Sequence, residues 1–229
     1  MPVKSTSMIL LAAFVVAWPA AAHRLVEVTD RPFGPENALE IEEIAVSQVG
    51  YHVASESAPT LWMTFEAVAG DLLYFETGVP FIERYGDLRP SVALIGPGLP
   101  EASLPFAIPA GLGALVFSTQ DVAAPEVFSE PFTGTESWKF GPWERTLETS
   151  GRYYLVTYLP DLGPGKFWTA VGRAEEFGIA DILTLPQTIV SVRSYHEIFP
   201  LGGVLFWGMV AAIAVIVSAA GAFLSKVLL

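Results

Sequence analysis

Three histidines are the only side chains in this 229-residue sequence whose ordinary pKa lies near neutrality, and their positions set what imidazole chemistry the chain can do. His23 directly follows Pro19-Ala20-Ala21-Ala22, a small-residue pattern of the kind at which secretory leaders are cut. Cleavage after Ala22 makes His23 the first residue, and an N-terminal histidine can hold Cu(II) through its amino group and a ring nitrogen. A second imidazole would have to come from His52, inside a predicted strand, or from His196, just before the apolar C-terminal run. Neither belongs to a His-x-His pair, so a solvated terminus stands beside the copper reading.

Other catalytic chemistry leaves little trace. Cysteine is absent, which removes disulfides, thiol catalysis and thiolate metal sites. No G-x-S-x-G turn, G-x-x-x-x-G-K-[ST] loop or H-E-x-x-H helix occurs, and histidines this scattered pair no base with a nucleophile. The expectation is a non-catalytic chain with no resident cofactor, copper at His23 excepted. Glu40, Glu42, Glu43 and Asp161 carry oxygen ligands suited to calcium, but without D-x-D-x-D spacing they read as solvated acidic surface. Phe132, Trp138, Phe140 and Trp143, with Gly134 among them, fall in a loop-rich stretch over 131–144. They would form an aromatic platform for a glycan or a partner protein, or a loop folded over a core.

The elements that must position these residues follow from hydrophobic patterning. Residues 8–18 are a short apolar core after Lys4, which reads 1–22 as a cleaved signal peptide. Residues 23–43 read as an extended lead. Over 44–177, β-branched and aromatic runs at 45–53, 61–65, 72–76, 91–95, 114–118, 153–158 and 166–171 alternate with Gly/Pro/Asp turns, which predicts an antiparallel sandwich or barrel. Within 153–158, Tyr153, Leu155 and Thr157 alternate with Tyr154, Val156 and Tyr158, predicting one buried face and one exposed aromatic face.

Phe65, Ala67, Ala69, Gly70 and Asp71, followed by Gly151, Tyr153, Leu155 and Thr157, resemble the strand layout of bacterial pre-peptidase C-terminal domains and related jelly-roll sandwiches. The chain is also similar to uncharacterised exported bacterial sandwich proteins with a terminal anchor. Thr157 departs from that pattern, which has an aliphatic residue there. The resemblance implies a jelly-roll-like fold and carries no catalytic residue across.

After the strands the period changes to that of a helix. Ile182, Leu185, Ile189, Val192, His196 and Phe199 predict a juxtamembrane helix over 178–199, with Pro186 in its first turn. Residues 201–224 contain no ionisable side chain and at about 1.5 Å per residue span a hydrocarbon core about 30 Å thick, predicting a transmembrane helix over 200–225 with a cytoplasmic stub at 226–229. Tyr195, Phe199, Phe206 and Trp207 are expected in the interfacial aromatic belt. Ala211, Ala214, Ser218, Gly221, Ala222 and Ser225 form a small-residue face suited to packing against another helix.

All 24 acidic residues fall in the exported part while Lys4 and Lys226 fall outside it, so its formal charge is 10 minus 24, or −14. A surface so negative repels nucleic acid and anionic headgroups. The combined expectation is a single-pass protein of a bacterial inner membrane, its bulk periplasmic, acting as an accessory or scaffold subunit that packs against membrane proteins or itself through the span. An exported copper- or glycan-binding module is the alternative.

Overall fold

The computed structural model describes residues 24–174, 179–199 and Gly208. The signal 1–22, His23 and the 226–229 stub lie outside the described residues. So do Phe206, Trp207, Ala211, Ala214, Ser218, Gly221, Ala222 and Ser225 of the predicted span.

The strand signals at 45–53, 61–65, 72–76, 91–95, 114–118, 153–158 and 166–171 occur as β3 (Gln48–Ala54), β4 (Thr60–Ala67), β5 (Leu72–Pro80), β6 (Ser91–Gly96), β7 (Gly113–Phe117), β10 (Gly151–Tyr158) and β11 (Gly165–Val171). Four further strands are β1 (Arg24–Thr29), β2 (Leu39–Glu40), β8 (Glu126–Glu130) and β9 (Thr135–Thr146). They form a six-stranded sheet ordered β1-β3-β11-β5-β9-β8 and a five-stranded sheet ordered β2-β4-β10-β6-β7. The fold is a mainly β, two-sheet sandwich. Late strands insert between early ones in both sheets, so β10 and β11 sit at the centre of the pairing beside strands far from them in the chain.

Two expectations change here. The lead over 23–43 supplies strands to both sheets, and β1 and β2 pair in parallel with β3 and β4, so the sandwich is antiparallel only away from these edges. A parallel pair needs no hairpin turn, which removes the local signal that marks the other strands. The loop expected over 131–144 is mostly β9. Gly141 and Pro142 fall at an irregularity in the β5 pairing between Phe75 and Thr77, where a missing ladder donor is tolerated.

Phe65, Phe75, Phe140, Tyr153 and Phe167 fill the space between the sheets, each at most 2% exposed, with Leu61, Met63, Leu73 and Leu94 around them. Burying each such side chain is worth about 1.5–3 kcal/mol. Thr157 also lies here, fully buried, and its hydroxyl hydrogen-bonds that of the equally buried Thr169. The departure from an aliphatic residue is therefore a polar link between β10 and β11, across the two sheets.

The other face of β10 is not exposed. Tyr154, Val156 and Tyr158 join Trp62, Ala93, Ile95 and Ala114, and Leu104, Phe106, Ile108 and Leu112 of the segment after β6 pack over them. The Phe106 ring meets Trp62 at 5.6 Å and Tyr158 at 5.1 Å, both edge-on. A strandless segment thus covers a sheet face too apolar to leave in water.

Candidate functional site at the helix and sheet junction

The outer face of the six-stranded sheet is covered by α1 (Ile179–Tyr195). Among its described side chains Ile189, Val192 and Tyr195 are buried, and Val192 and Tyr195 pack with Val49, Tyr51, Trp168 and Ala170. Pro186 falls inside the helix rather than in its first turn. Among the described residues no helix is long and apolar enough to cross a membrane. Of the apolar stripe, Ile189, Val192 and His196 are buried against the protein, while Phe199 at its end is exposed. Tyr195, expected in an aromatic belt, is 3% exposed, its ring edge-on to Tyr51 at 4.9 Å and its hydroxyl donating to the His52 carbonyl at 3.3 Å. Burial holds both phenols above their ordinary pKa, so both stay neutral.

α1 ends in a Schellman turn. The Ile198 N–H donates to the Arg193 carbonyl, the Glu197 N–H donates to the Ser194 carbonyl, and Glu197 takes the left-handed position at φ 59°. Glycine usually occupies that position because a Cβ is strained there. Glu197 instead places its carboxylate between two cations. Its Oε1 accepts from Arg84 and, at 2.7 Å, from Lys166, and this pair of donors pulls its pKa down to about 2, Arg84 the stronger cause. Lys166 also donates to the Tyr195 carbonyl at 2.7 Å. Arg193 donates to the Thr133 carbonyl at 2.7 Å and the Phe199 carbonyl at 2.8 Å. The end of α1 is thereby latched to β11, to the 3-10 turn Glu83–Tyr85 and to the β8–β9 turn.

His196 sits at the centre of this latch. Its Nδ1 lies 2.8 Å from the Val192 carbonyl and its Nε2 3.1 Å from Ser137 Oγ. A carbonyl only accepts, so Nδ1 carries the proton and Nε2 accepts the Ser137 hydroxyl. Trp168 Nε1 donates to the same Ser137 oxygen at 3.0 Å. Gly78 permits this, since a Cβ there would fall 2.3 Å from the Trp168 ring. Burial, aided by the Lys166 cation, pushes the His196 pKa down to about 4. Hydroxyl, imidazole and carbonyl in that order resemble a nucleophile with its base. Ser137, however, is only 4% exposed and already receives an indole N–H, so the chain of bonds fixes the helix to the sheet.

Of the copper expectation, only the candidate second ligands His52 and His196 fall among the described residues. His52 is fully buried between Phe33 and Phe167, and its Nε2 lies 2.8 Å from the Ala58 carbonyl. His196 is committed to Ser137 and Val192. The described residues contain no group of three or more His, Asp or Glu side chains placed to hold a metal.

The aromatic platform is likewise dispersed. Phe140 is 2% exposed in the core, Trp143 packs on Phe75 and Phe117, and Trp138 lies against Phe81 at 4.6 Å. Phe132 is half-buried in the β8–β9 turn. What the sequence did not bring together is a cleft of about 340 Å³ lined by Phe81, Glu130, Pro131, Glu136, His196 and Ile198 among others. The signal for it lies in segments far apart in the chain, and no local motif joins them.

No family model and no curated protein matches the chain. Several solved structures are similar in outline. One is a periplasmic inhibitor of g-type lysozyme from Aeromonas hydrophila, at 14% identity and TM-score 0.32, covering 66% of this chain and 98% of that one. Another is the pre-peptidase C-terminal domain of a Bacillus anthracis collagenase, at 14% identity and TM-score 0.29, covering 60% and 96%. A third is a surface-associated copper-binding protein of Methylomicrobium album, at 9% identity and TM-score 0.32, covering 66% and 100%. Likeness at this level carries no functional argument.

Proposed function

We propose that this chain is a non-catalytic accessory subunit, exported and tethered to a membrane by residues 200–225, whose sandwich is held in a fixed pose relative to the tether. The observation that supports this reading is the latch at the end of α1. Lys166, Arg84 and Arg193 secure residues 193–199 to three parts of the sandwich, and the uncharged stretch begins only two residues after Phe199. A domain on a free tether needs no such clamp, whereas a subunit that presents one surface to membrane partners does. The small-residue face at Ala211, Ala214, Ser218, Gly221, Ala222 and Ser225 would supply the helix contact with those partners.

The test is extraction of the native protein in mild detergent, followed by native mass measurement and identification of its companions. The expected result is resistance to alkaline wash, an intact mass that begins at His23, and a defined complex with integral membrane proteins. A lone monomer in mild detergent would overturn the accessory role.

A further inference from the structure

We infer that the end of the sandwich formed by Phe81, Ile198 and Phe199 is a membrane-contacting surface that lies in the headgroup layer; the inference rests on the tethered reading above. Phe81 and Phe199 are the exposed phenylalanines among the large apolar side chains of the described residues, at 46% and 66%. They come from opposite parts of the chain. Phe81 directly follows β5, and the 3-10 turn after it is tied to the helix end through the Arg84–Glu197 ion pair, while Phe81 and Ile198 line the same cleft. The two exposed rings therefore belong to one end of the molecule.

That end is where the chain departs for the apolar stretch. Pro200 alone separates Phe199 from Leu201, so Phe199 lies within about 7 Å of the first residue of the predicted span. The polar layer on each side of a bilayer is about 5–7 Å thick, which leaves Phe199 no place but that layer or its edge. The latch then carries Phe81 with it. An exposed apolar ring at Phe81, backed by the Trp138 indole at 4.6 Å, is a side-chain pair of the kind that inserts at the interface. Val68 is a natural counter-example. It is 66% exposed but sits before the opposite end of β5, about 30 Å away along that strand, and should stay in water. Glu83, Glu130 and Glu136 lie near Phe81 while Arg84, Lys166 and Arg193 lie at the same end, a mixed charge that suits a zwitterionic lipid.

The absence of cysteine makes the test direct. The full chain carrying Glu83→Cys or Val68→Cys is labelled with a fluorophore and reconstituted in phosphatidylcholine vesicles containing a headgroup-nitroxide lipid. Both variants are expected to float with the vesicles, with the label at 83 quenched several-fold more strongly than the label at 68. Adding Phe81→Ser to the Glu83→Cys chain should reduce that quenching by roughly twofold or more. If both chains float and the two labels are quenched equally, the surface assignment is wrong and the tether stands. If quenching at 83 is strong but Phe81→Ser leaves it unchanged, Phe81 has no part in the contact and the assignment is likewise wrong. If the chains do not float, both readings fall together.

Discussion

At the scale of single residues, the buried hydroxyls and imidazoles give the sharpest tests. Thr157 and Thr169 satisfy each other in a core otherwise built from aromatic and aliphatic groups. Thr157→Val leaves the Thr169 hydroxyl buried without its partner and should cost about 1–3 kcal/mol, whereas the double Val variant should recover most of that loss. Urea unfolding of the four chains reads the difference, and additive single effects would refute the link. His196 gives a pH dependence. Its pKa falls from 6.5 to about 4 on folding, so the unfolded chain takes up a proton first. Stability is complete above about pH 6.5 and is lost as pH falls toward 4, by an amount on the order of 2 kcal/mol. His52 is shifted in the same direction by burial, so His196→Gln should flatten the slope of melting temperature against pH without abolishing it.

At the scale of elements, α1 is a helix whose tertiary contacts outweigh its own preferences. It holds a proline in its interior and ends on a non-glycine residue in the left-handed region, both locally unfavourable. Packing on Tyr51 and Trp168 and the Glu197 latch offset these costs. Glu197→Gln keeps the backbone strain but removes the charge that Lys166 and Arg84 hold, so amide exchange over 189–198 should accelerate while β3, β10 and β11 keep their protection. The same substitution should remove an acid-labile contribution. The Glu197 pKa lies at about 2, below the ordinary carboxylate value of about 4.3, so its stabilisation is present above that value and fades as pH falls toward 2. Unchanged exchange in the variant would mean that the latch does not hold the helix.

At the scale of the whole molecule, the proposed tether makes the sandwich a rigid extension of a membrane segment. Flotation, native mass and lipid quenching test that arrangement in independent ways. Alternating apolar residues and Gly/Pro punctuation were enough to place β3 to β7, β10 and β11, because a strand with one or both faces buried writes its own period into the chain. The helical period before Tyr195 was legible for the same reason. What covers each apolar face was not. Tyr154 and Tyr158 read as exposed and are roofed by Phe106, and Tyr195 reads as interfacial but packs with Val192 on the outer sheet. Periodicity reports that a face avoids water and says nothing of its partner. The latch belongs wholly to tertiary structure, since Arg84 and Glu197 are 113 residues apart and Ser137 and His196 are 59 apart. Those pairs arise only once sheet order has been set by the competition of every strand for a place in the core, a choice among long-range contacts that no local pattern encodes.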